Sequence, residues 1–255
     1  MLKPKISLLV LLALAPRLAA QTQEPAASAI EPTMLIEKPT AGMLGRGMYR
    51  VTTNFFERGG VLFGISVGVM DRFMFGVTYG GTGILGHEKA MMNSYPGVQA
   101  KLRVIEESTS FPAWVFGFDS QGFGPYDKGL DRYTVKSPGF YTAVSQNYAL
   151  AGNLSAHLGI LYSLERDDDD KDVDFFVGVE KSVGKNIALL AEFDAATNDN
   201  HGRAFGKNRG YLNLGLRWSI SKELILGFDL KNMTKNQDGI IIGNRTLQLE
   251  YISRF

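Results

Sequence analysis

The sequence predicts an all-β protein, a transmembrane antiparallel up-and-down β-barrel of about twelve strands that follows an N-terminal signal peptide. Three observations lead to this fold class. From Gly42 onward, segments of about ten residues alternate between apolar and polar side chains. The polar parity carries many charged residues, which a soluble barrel would not bury unpaired. Short and long connections also alternate along the chain, as they do in outer-membrane barrels.

The composition excludes several classes of protein and site. The 255 residues contain no Cys, so disulfides, a lipidated N-terminal Cys and a thiolate metal site are excluded. Lys and Arg number 27 against 26 Asp and Glu, and this balance provides no global field that would attract nucleic acid. We therefore expect no nucleic-acid partner, and we expect no cofactor and no metal.

The N-terminal region divides into two parts. Residues 1–20 start with a basic stretch, continue with an apolar run over 6–15 and end on small residues, which is the plan of a signal peptide. The apolar run is shorter than the ~20 residues that a membrane-spanning helix needs. Residues 21–40 are rich in Pro, Ala and Thr without periodicity, and we expect a flexible periplasmic lead-in there. The barrel is expected over 41–255.

The strands are predicted wherever one parity is almost entirely apolar. They cover residues 49–55, 61–69, 73–79, 98–104, 114–118, 140–147, 154–162, 173–179, 187–193, 212–218, 224–230 and 247–255. The segment over 140–147 is ambiguous in parity. The total is an even number, as in bacterial single-chain barrels.

The opposite parity is polar or glycine and should face the interior, with the apolar parity toward outer-membrane lipid. The predicted lumen-lining residues are Arg50, Lys101, Arg103, Asp119, His157, Glu180, Glu192, Asp194, Arg217, Asp229, Lys231 and Glu250. Adjacent strands should let Glu192 and Asp194 meet Arg217, and Arg217 meet Asp229. Two interpretations stay open: a salt-bridged interior that is closed, or a narrow pore whose charged wall orients a polar solute.

The connections predict the orientation of the barrel. Tight turns near 70–72, 106–110, 149–152, 183–186 and 220–223 alternate with longer loops, while the link at 57–60 is short on the long-loop side. Short turns face the periplasm in outer-membrane barrels, and an even strand number places both termini on that side. We therefore predict a cell outer membrane location in a Gram-negative bacterium with periplasmic N- and C-termini.

The chain ends on "TLQLEYISRF", in which Leu249, Tyr251 and Phe255 share one parity. Aromatic residues such as these favour the interface between lipid and water. A terminal aromatic residue after alternating apolar residues resembles the C-terminal signal by which outer-membrane barrels are recognised. That resemblance implies the barrel-insertion machinery as a partner.

Three further features bear on chemistry. Ser155 and His157 lie two residues apart on the polar parity, which raises the alternative of an outer-membrane lipid hydrolase, but no third orienting residue accompanies them. The acidic run 167–170 lacks the Gly-centred spacing of a calcium loop, so a solvated, self-repelling tip is expected. Loop 120–138 combines aromatic and charged residues that could fold into the barrel mouth or stack on sugars.

The stretch "FPAWVFGFDSQGFGPYDKGLDRYTVKSPGFYTAVSQNY" at 111–148 resembles a signature of the YjbH-like outer-membrane proteins. The residues that carry the resemblance are Pro112, Ala113, Gly117, Asp119, Gly122, Gly124 and Ser145. YjbH-like proteins are associated with the export or assembly of exopolysaccharide, so the resemblance implies polysaccharide as a partner. Proteins of this family are typically much longer, and this chain would supply one barrel.

Three functional hypotheses follow. The first is a narrow channel or an accessory to surface polysaccharide export. The second is a closed structural or adhesive barrel that binds through its long loops. The third is the lipid hydrolase, but we expect that the protein is not an enzyme.

Overall fold

The computed structural model describes residues 31–237 and 244–255. Within these residues twelve antiparallel strands close into one barrel, because each strand pairs with the next and the last pairs with the first. This confirms the fold class predicted from the sequence. The strands are β1 (Met48–Phe56), β2 (Gly60–Met70), β3 (Phe73–Thr82), β4 (Gly97–Ile105), β5 (Ala113–Asp119), β6 (Gly139–Ala149), β7 (Asn153–Tyr162), β8 (Asp174–Val183), β9 (Ile187–Asp194), β10 (Tyr211–Ser219), β11 (Leu224–Lys231) and β12 (Asn244–Arg254).

Apolar side chains point outward and polar ones point inward along these strands. On β2, Phe63 and Ile65 are 50% and 39% exposed, whereas the intervening parity places Ser66 at 2%. A water-soluble barrel would show the reverse distribution, since apolar groups would fill its centre. The exposed apolar band therefore faces lipid, as in a membrane-spanning barrel.

The structure resolves the parity of β6. Phe140 is 46% exposed, whereas Tyr141 and Ala143 are buried at 4% and 1%. These two inward residues belong to an apolar cluster inside the barrel, so both faces of the strand carry apolar side chains. That is why the alternation of the sequence was not decisive here.

Connections alternate as predicted. Short turns lie at one end, which we call the short-turn end, and the longer loops lie at the other, the long-loop end. The link over 57–59 is the short exception at the long-loop end. A two-residue strand (Met91–Met92) pairs antiparallel with the end of β3, and loop 120–138 carries a small hairpin of Phe123–Asp127 and Arg132–Val135.

β12 closes the barrel against β1 in continuous register from Met48–Arg254 to Phe55–Leu247. Leu249, Tyr251 and Phe255 are exposed on the outer face, with Phe255 at 81%. The ring of Phe255 lies 5.1 Å from that of Tyr49, centroid to centroid. The last aromatic residue therefore packs outside the barrel at the short-turn end.

Residues 1–20, where the signal peptide is predicted, lie outside the described residues. No helix in the part of the chain that the structure describes is long and apolar enough to cross a membrane.

Candidate functional site

Residues 33–44, which we call the inner segment, lie inside the barrel. Eleven of these twelve residues are buried. The segment begins as a tight hairpin in which the N–H of Leu35 donates to the carbonyl of Lys38 at 2.9 Å, and Met34 pairs with Pro39. It then returns to the short-turn end, where β1 starts.

The expectation of a flexible lead-in over 21–40 does not hold for residues 33–40, while residues 21–30 lie outside the described residues. The physical reason is that this segment is not amphipathic against lipid or solvent. Its backbone N–H and C=O groups form hydrogen bonds with polar side chains of the barrel wall, and such bonds impose no periodic pattern of apolar residues on the segment itself.

The tip of the hairpin is held by Glu192 of β9. Its carboxylate accepts the backbone N–H groups of Ile36, Glu37 and Lys38 at 2.9–3.2 Å. The amide of Asn213 donates to the same carboxylate at 3.0 Å. Glu192 is fully buried, so these donors replace the water that the charged group would otherwise bind.

Two ion pairs flank this contact. The Nζ of Lys38 lies 2.6 Å from Asp194, and the Nζ of Lys231 lies 2.8 Å from Glu37. Arg217 donates to the carbonyl of Leu35 at 3.0 Å. The tip is therefore bound through both its backbone and its charged side chains.

Basic side chains of the wall hold the rest of the segment. The Nζ of Lys101 donates to the carbonyls of Thr33, Thr40 and Gly42 at 2.8, 3.0 and 3.1 Å. Arg103 donates to the carbonyl of Ala41 at 2.6 Å. These contacts satisfy the buried carbonyl oxygens of Thr40, Ala41 and Gly42, and they add a donor to the carbonyl of Thr33, which also accepts the N–H of Thr40.

Apolar packing and close backbone approach complete the fit. Ala41, Met43 and Leu44 join the apolar cluster inside the barrel. Gly68 of β2 faces the carbonyl oxygens of Leu44 and Gly45, and an added Cβ would overlap both. The barrel wall therefore lacks a side chain where the returning backbone lies against it.

The structure places all twelve predicted lumen-lining residues on the interior face. Eight are buried: Arg50, Lys101, Arg103, Asp119, His157, Glu192, Asp194 and Asp229. The other four are half-buried: Glu180, Arg217, Lys231 and Glu250.

The pairing expected among these residues holds in part. Arg217 pairs with Asp229 at 2.5 Å. Glu192 and Asp194 do not pair with Arg217, because the inner segment lies between the walls and binds both carboxylates. Arg50 lies 3.7 Å from Glu250.

The sequence analysis did not assign five residues of this site to the lumen: Glu37, Lys38, Ser145, Asp174 and Asn213. Asp174 and Asn213 share the inward parity of Gly178 and Gly215, so the alternation alone could have identified them. No sequence signal marks Glu37 and Lys38, whose partners lie more than 150 residues away along the chain.

The Ser155–His157 pair proposed for hydrolysis is not assembled. Nδ1 of His157 contacts the hydroxyl of Ser145 at 2.7 Å, and the N–H of Ala41 donates to that same hydroxyl at 2.8 Å. Ser155 instead hydrogen-bonds Asn147 and Asn153. Both candidate residues are buried on the interior face, away from lipid.

The long loops form a packed layer over the lumen. Arg132 is fully buried, and it pairs with Asp168 and with Asp199, the latter at 2.7 Å. Lys136 lies 2.8 Å from Asp168. The expectation of a solvated, self-repelling tip at 167–170 is therefore wrong for Asp168 and Asp170, which are 0% and 2% exposed. The cations of loop 120–138 supply the compensating charge.

Two acids in this layer have shifted pKa values. Burial raises the pKa of Glu165 to about 7, although the N–H groups of Tyr133 and Ser137 donate to it. The pKa of Asp170 lies below its usual value, because backbone N–H donors outweigh the opposing effect of burial.

Asp170, Asp172 and His201 each place one possible ligand atom within 4.8 Å of the others. Asp172 and His201 are exposed, and Asp170 already accepts backbone N–H groups from Asn200 and His201. The cluster therefore offers at most a weak, open cation site.

A cavity of about 570 Å³ runs beside the inner segment. It extends from the short turns that contain Lys185 and Lys222 to Gln121 and Phe123 of loop 120–138. Next to Phe123, on the side of the long loops, lie two small cavities of about 20 and 30 Å³. A further cavity of about 190 Å³ lies among the long loops themselves, where Tyr126, Tyr133 and Glu165 line it. The lumen is thus wide toward the short-turn end and constricted near the long-loop end, where Ile36 and Phe123 meet the same small cavity.

Comparison with known proteins gives fold-level likenesses. No family model and no curated protein matches the chain. Among solved structures, a KdgM porin has a TM-score of 0.49 at 10% identity and covers 82% of this chain and 99% of its own. A NanC porin gives 0.48 at 8%, with coverages of 81% and 99%. The outer membrane protein Omp33 of Acinetobacter baumannii gives 0.43 at 9%, with coverages of 82% and 97%.

Proposed function

We propose that this protein is an outer-membrane channel for small polar solutes that its own inner segment holds closed. A barrel of about eight strands is filled by its side chains, and one of 16–18 leaves an aqueous channel. Twelve strands leave a space that the wall residues cannot fill alone. The observation that carries the proposal is that the inner segment, which contacts the wall through hydrogen bonds and ion pairs, fills this space beside a cavity of about 570 Å³.

The contacts of the inner segment support a closed state that can open. The segment is bound mainly by hydrogen bonds and ion pairs with the wall, and its own hairpin contributes few backbone bonds. Charged and polar wall groups freed by its departure would be solvated by entering water. An apolar interior would have no such compensation.

The proposed location is the outer membrane of a Gram-negative bacterium with the short-turn end in the periplasm. Glu31 contacts Arg103 near the turn after β4, and the N–H of Phe255 donates to the carbonyl of Gly47 at 2.9 Å. Both described chain ends therefore lie at the short-turn end. The outward placement of Leu249, Tyr251 and Phe255 fits an insertion signal read by the barrel-insertion machinery.

A variant of the channel proposal, with a polymer in place of a small solute, is a role in exopolysaccharide export, as the resemblance of 111–148 to YjbH-like proteins implies. Gln121, Tyr133 and Lys136 of this stretch are buried, and Phe123 helps to close the mouth. A polymer would pass only if this loop and the inner segment both moved. Exopolysaccharide output of a deletion strain, complemented with the parent gene, tests this role, and unchanged output would refute it.

The second candidate function is a closed barrel that binds through its loops. The buried Arg132 network, which pairs with Asp168 and Asp199, favours it because such a network makes the loop layer rigid. In this case the inner segment stays in the lumen permanently, and no open channel forms.

Conductance in planar bilayers separates the two functions. A variant in which residues 33–40 are replaced by Gly and Ser should show larger and more frequent single-channel steps than the parent. An Arg203→Ala variant, whose side chain is 58% exposed in the loop layer, serves as the control and should match the parent. If correctly folded, heat-modifiable parent and variant both lack steps, the channel function is refuted and the closed barrel stands.

The hydrolase hypothesis has its own test. Lipid hydrolysis is compared between the parent and Ser155→Ala, and equal or absent activity in both ends it. Because Ser155 hydrogen-bonds Asn147 and His157 hydrogen-bonds Ser145, the two residues do not form a nucleophile–base pair, and we expect that outcome.

A further inference from the structure

Asp174 and Asp194 face one point in the lumen at the long-loop ends of β8 and β9. The Nζ of Lys38 lies 2.6 Å from Oδ2 of Asp194 and 3.8 Å from Oδ2 of Asp174. All three side chains are at most 3% exposed. A single ammonium group therefore occupies a buried position between two carboxylates.

The barrel, and not the inner segment, sets the orientation of these carboxylates. Oδ1 of Asp194 accepts the N–H of Ala196 at 3.0 Å. Oδ1 of Asp174 accepts the N–H of Thr197 at 3.0 Å and its hydroxyl at 3.2 Å. Each carboxylate is thus fixed through one oxygen, and the Oδ2 oxygens point at the cation.

Oδ2 of Asp174 is buried and accepts no hydrogen bond. Two carboxylates that share a buried site repel each other, and each carries a desolvation cost unless a cation is present. Among the ion pairs of the described residues, those of Asp174 and Asp194 involve Lys38 alone. The wall therefore provides a cation site but no cation of its own.

We propose that Asp174 and Asp194 form a recognition site for a primary ammonium group of the transported solute. In the closed state the ammonium of Lys38 occupies this site. This inference rests on the proposed channel function. A solute that carries such a group would compete with Lys38 for the two carboxylates. Its binding would release the tip of the inner segment, because the ligand and the tip exclude each other.

Chemical complementation of Lys38→Ala tests the site directly. This substitution removes the atoms that n-propylammonium supplies, and the ammonium keeps the three N–H donors of the lysine. We expect n-propylammonium chloride to raise the thermal unfolding midpoint of Lys38→Ala in a saturable manner, since a ligand that binds only the folded state stabilises it. The parent, whose site is occupied, should show a much smaller shift.

Two controls define the result. Propan-1-ol at equal concentration tests for non-specific apolar binding, and sodium chloride tests for ionic strength. The double variant Lys38→Ala, Asp194→Asn should lose the propylammonium effect. No saturable shift in Lys38→Ala, or an equal shift in the double variant, would overturn the proposal.

A second measurement serves if Lys38→Ala does not fold. The chain has no Cys, so Ile36→Cys introduces a single thiol at the tip of the inner segment. n-Propylammonium should increase the labelling rate of this thiol in an otherwise parental barrel, and Asp194→Asn should alter the response. An unchanged labelling rate would contradict competition for the site.

These readouts do not depend on ion current. Saturable binding without conductance in any variant would leave the cation site standing and refute the channel function. If removal of the inner segment produces conductance but the amine does not bind, the channel function stands and the cation site is refuted.

Discussion

The inner segment is bound differently at its two ends. At the tip, acids of β8 and β9 hold backbone N–H groups and the ammonium of Lys38. Toward the short-turn end, Lys101 and Arg103 hold backbone carbonyls. The tip is therefore held through its backbone N–H groups and also through the charged side chains of Lys38 and Glu37, whereas the other end is held through backbone carbonyls. This difference locates selectivity at the tip and anchoring at the short-turn end.

The largest effect is expected for Glu192→Ala, which removes the acceptor of three backbone N–H groups at the tip. Hydrogen bonds to charged groups contribute about 1.5–3 kcal/mol each, so the loss should release the tip. The labelling rate of a thiol introduced by Ile36→Cys should rise strongly. Glu192→Gln, which keeps one acceptor oxygen, should give a smaller rise, and equal rates in both variants would contradict this role.

Lys101→Met is the counterpart at the short-turn end, because it leaves the buried carbonyls of Thr40 and Gly42 without their donor, while the carbonyl of Thr33 keeps the N–H of Thr40. An unsatisfied buried polar group costs about 1–3 kcal/mol, and we expect a total near the upper value. This loss of stability is measured by thermal unfolding, followed by the change in electrophoretic mobility between the folded and the heat-unfolded barrel. Lys181→Met is the matched control, since Lys181 also donates to carbonyls, at 2.8 and 3.1 Å, but outside the lumen. A loss as large in the control would remove the distinction.

Substitution of two glycines by Ala distinguishes contact with the backbone of the inner segment from contact with one of its side chains. Gly68→Ala places a Cβ against backbone oxygens of Leu44 and Gly45, whereas Gly178→Ala meets the flexible end of Leu35. Overpacking typically costs about 1–3 kcal/mol, so Gly68→Ala should approach about 2 kcal/mol and Gly178→Ala should stay below it. The thermal unfolding midpoints of the two variants give the order of their stabilities. A lower midpoint for Gly178→Ala than for Gly68→Ala would contradict a segment anchored by its backbone at the short-turn end.

The smallest global effect is expected from Glu165 in the loop layer. Its pKa is about 7 in the folded protein against an ordinary value of 4.5. The folded state therefore binds more protons than the open state between these pH values, and the layer loses stability as pH rises through about 7. Proteolysis of the loops, normalised to an unfolded substrate, should be faster at pH 8 than at pH 5.

Glu165→Gln should flatten this pH dependence. We expect the free energy of opening of the layer to change by about 1 kcal/mol or less, because the layer opens locally and not with the whole barrel. If the labelling rate of a thiol from Ile36→Cys also follows pH and Glu165→Gln abolishes that dependence, the tip contact depends on the loop layer. A pH dependence that persists in Glu165→Gln would assign it to another group.

Sequence reasoning located the strands because each side of the barrel wall meets a different medium. Lipid selects apolar side chains at every second position, and this selection repeats along all twelve strands, as in Phe63 and Ile65 of β2. The alternation is indecisive where the two media become similar. On β6, Tyr141 and Ala143 face an apolar cluster formed partly by the inner segment, so the contrast between faces is lost.

The candidate site was predicted only as a set of inward charges. The parity of Glu192 and Asp194 was visible, but their partners were not, because they come from a distant segment without periodicity. The acidic run near Asp168 shows the same limit, since Arg132 and Lys136 reach it from another loop.

The sequence by itself determined which residues face lipid, which face the lumen and at which end the chain finishes, since these depend on local alternation. Tertiary structure alone decided that residues 33–44 occupy the lumen and that Lys38 neutralises Asp194. Closing the sheet creates a space too wide for the wall side chains to fill. Whatever satisfies its buried charges is set by three-dimensional proximity, which a one-dimensional pattern does not contain.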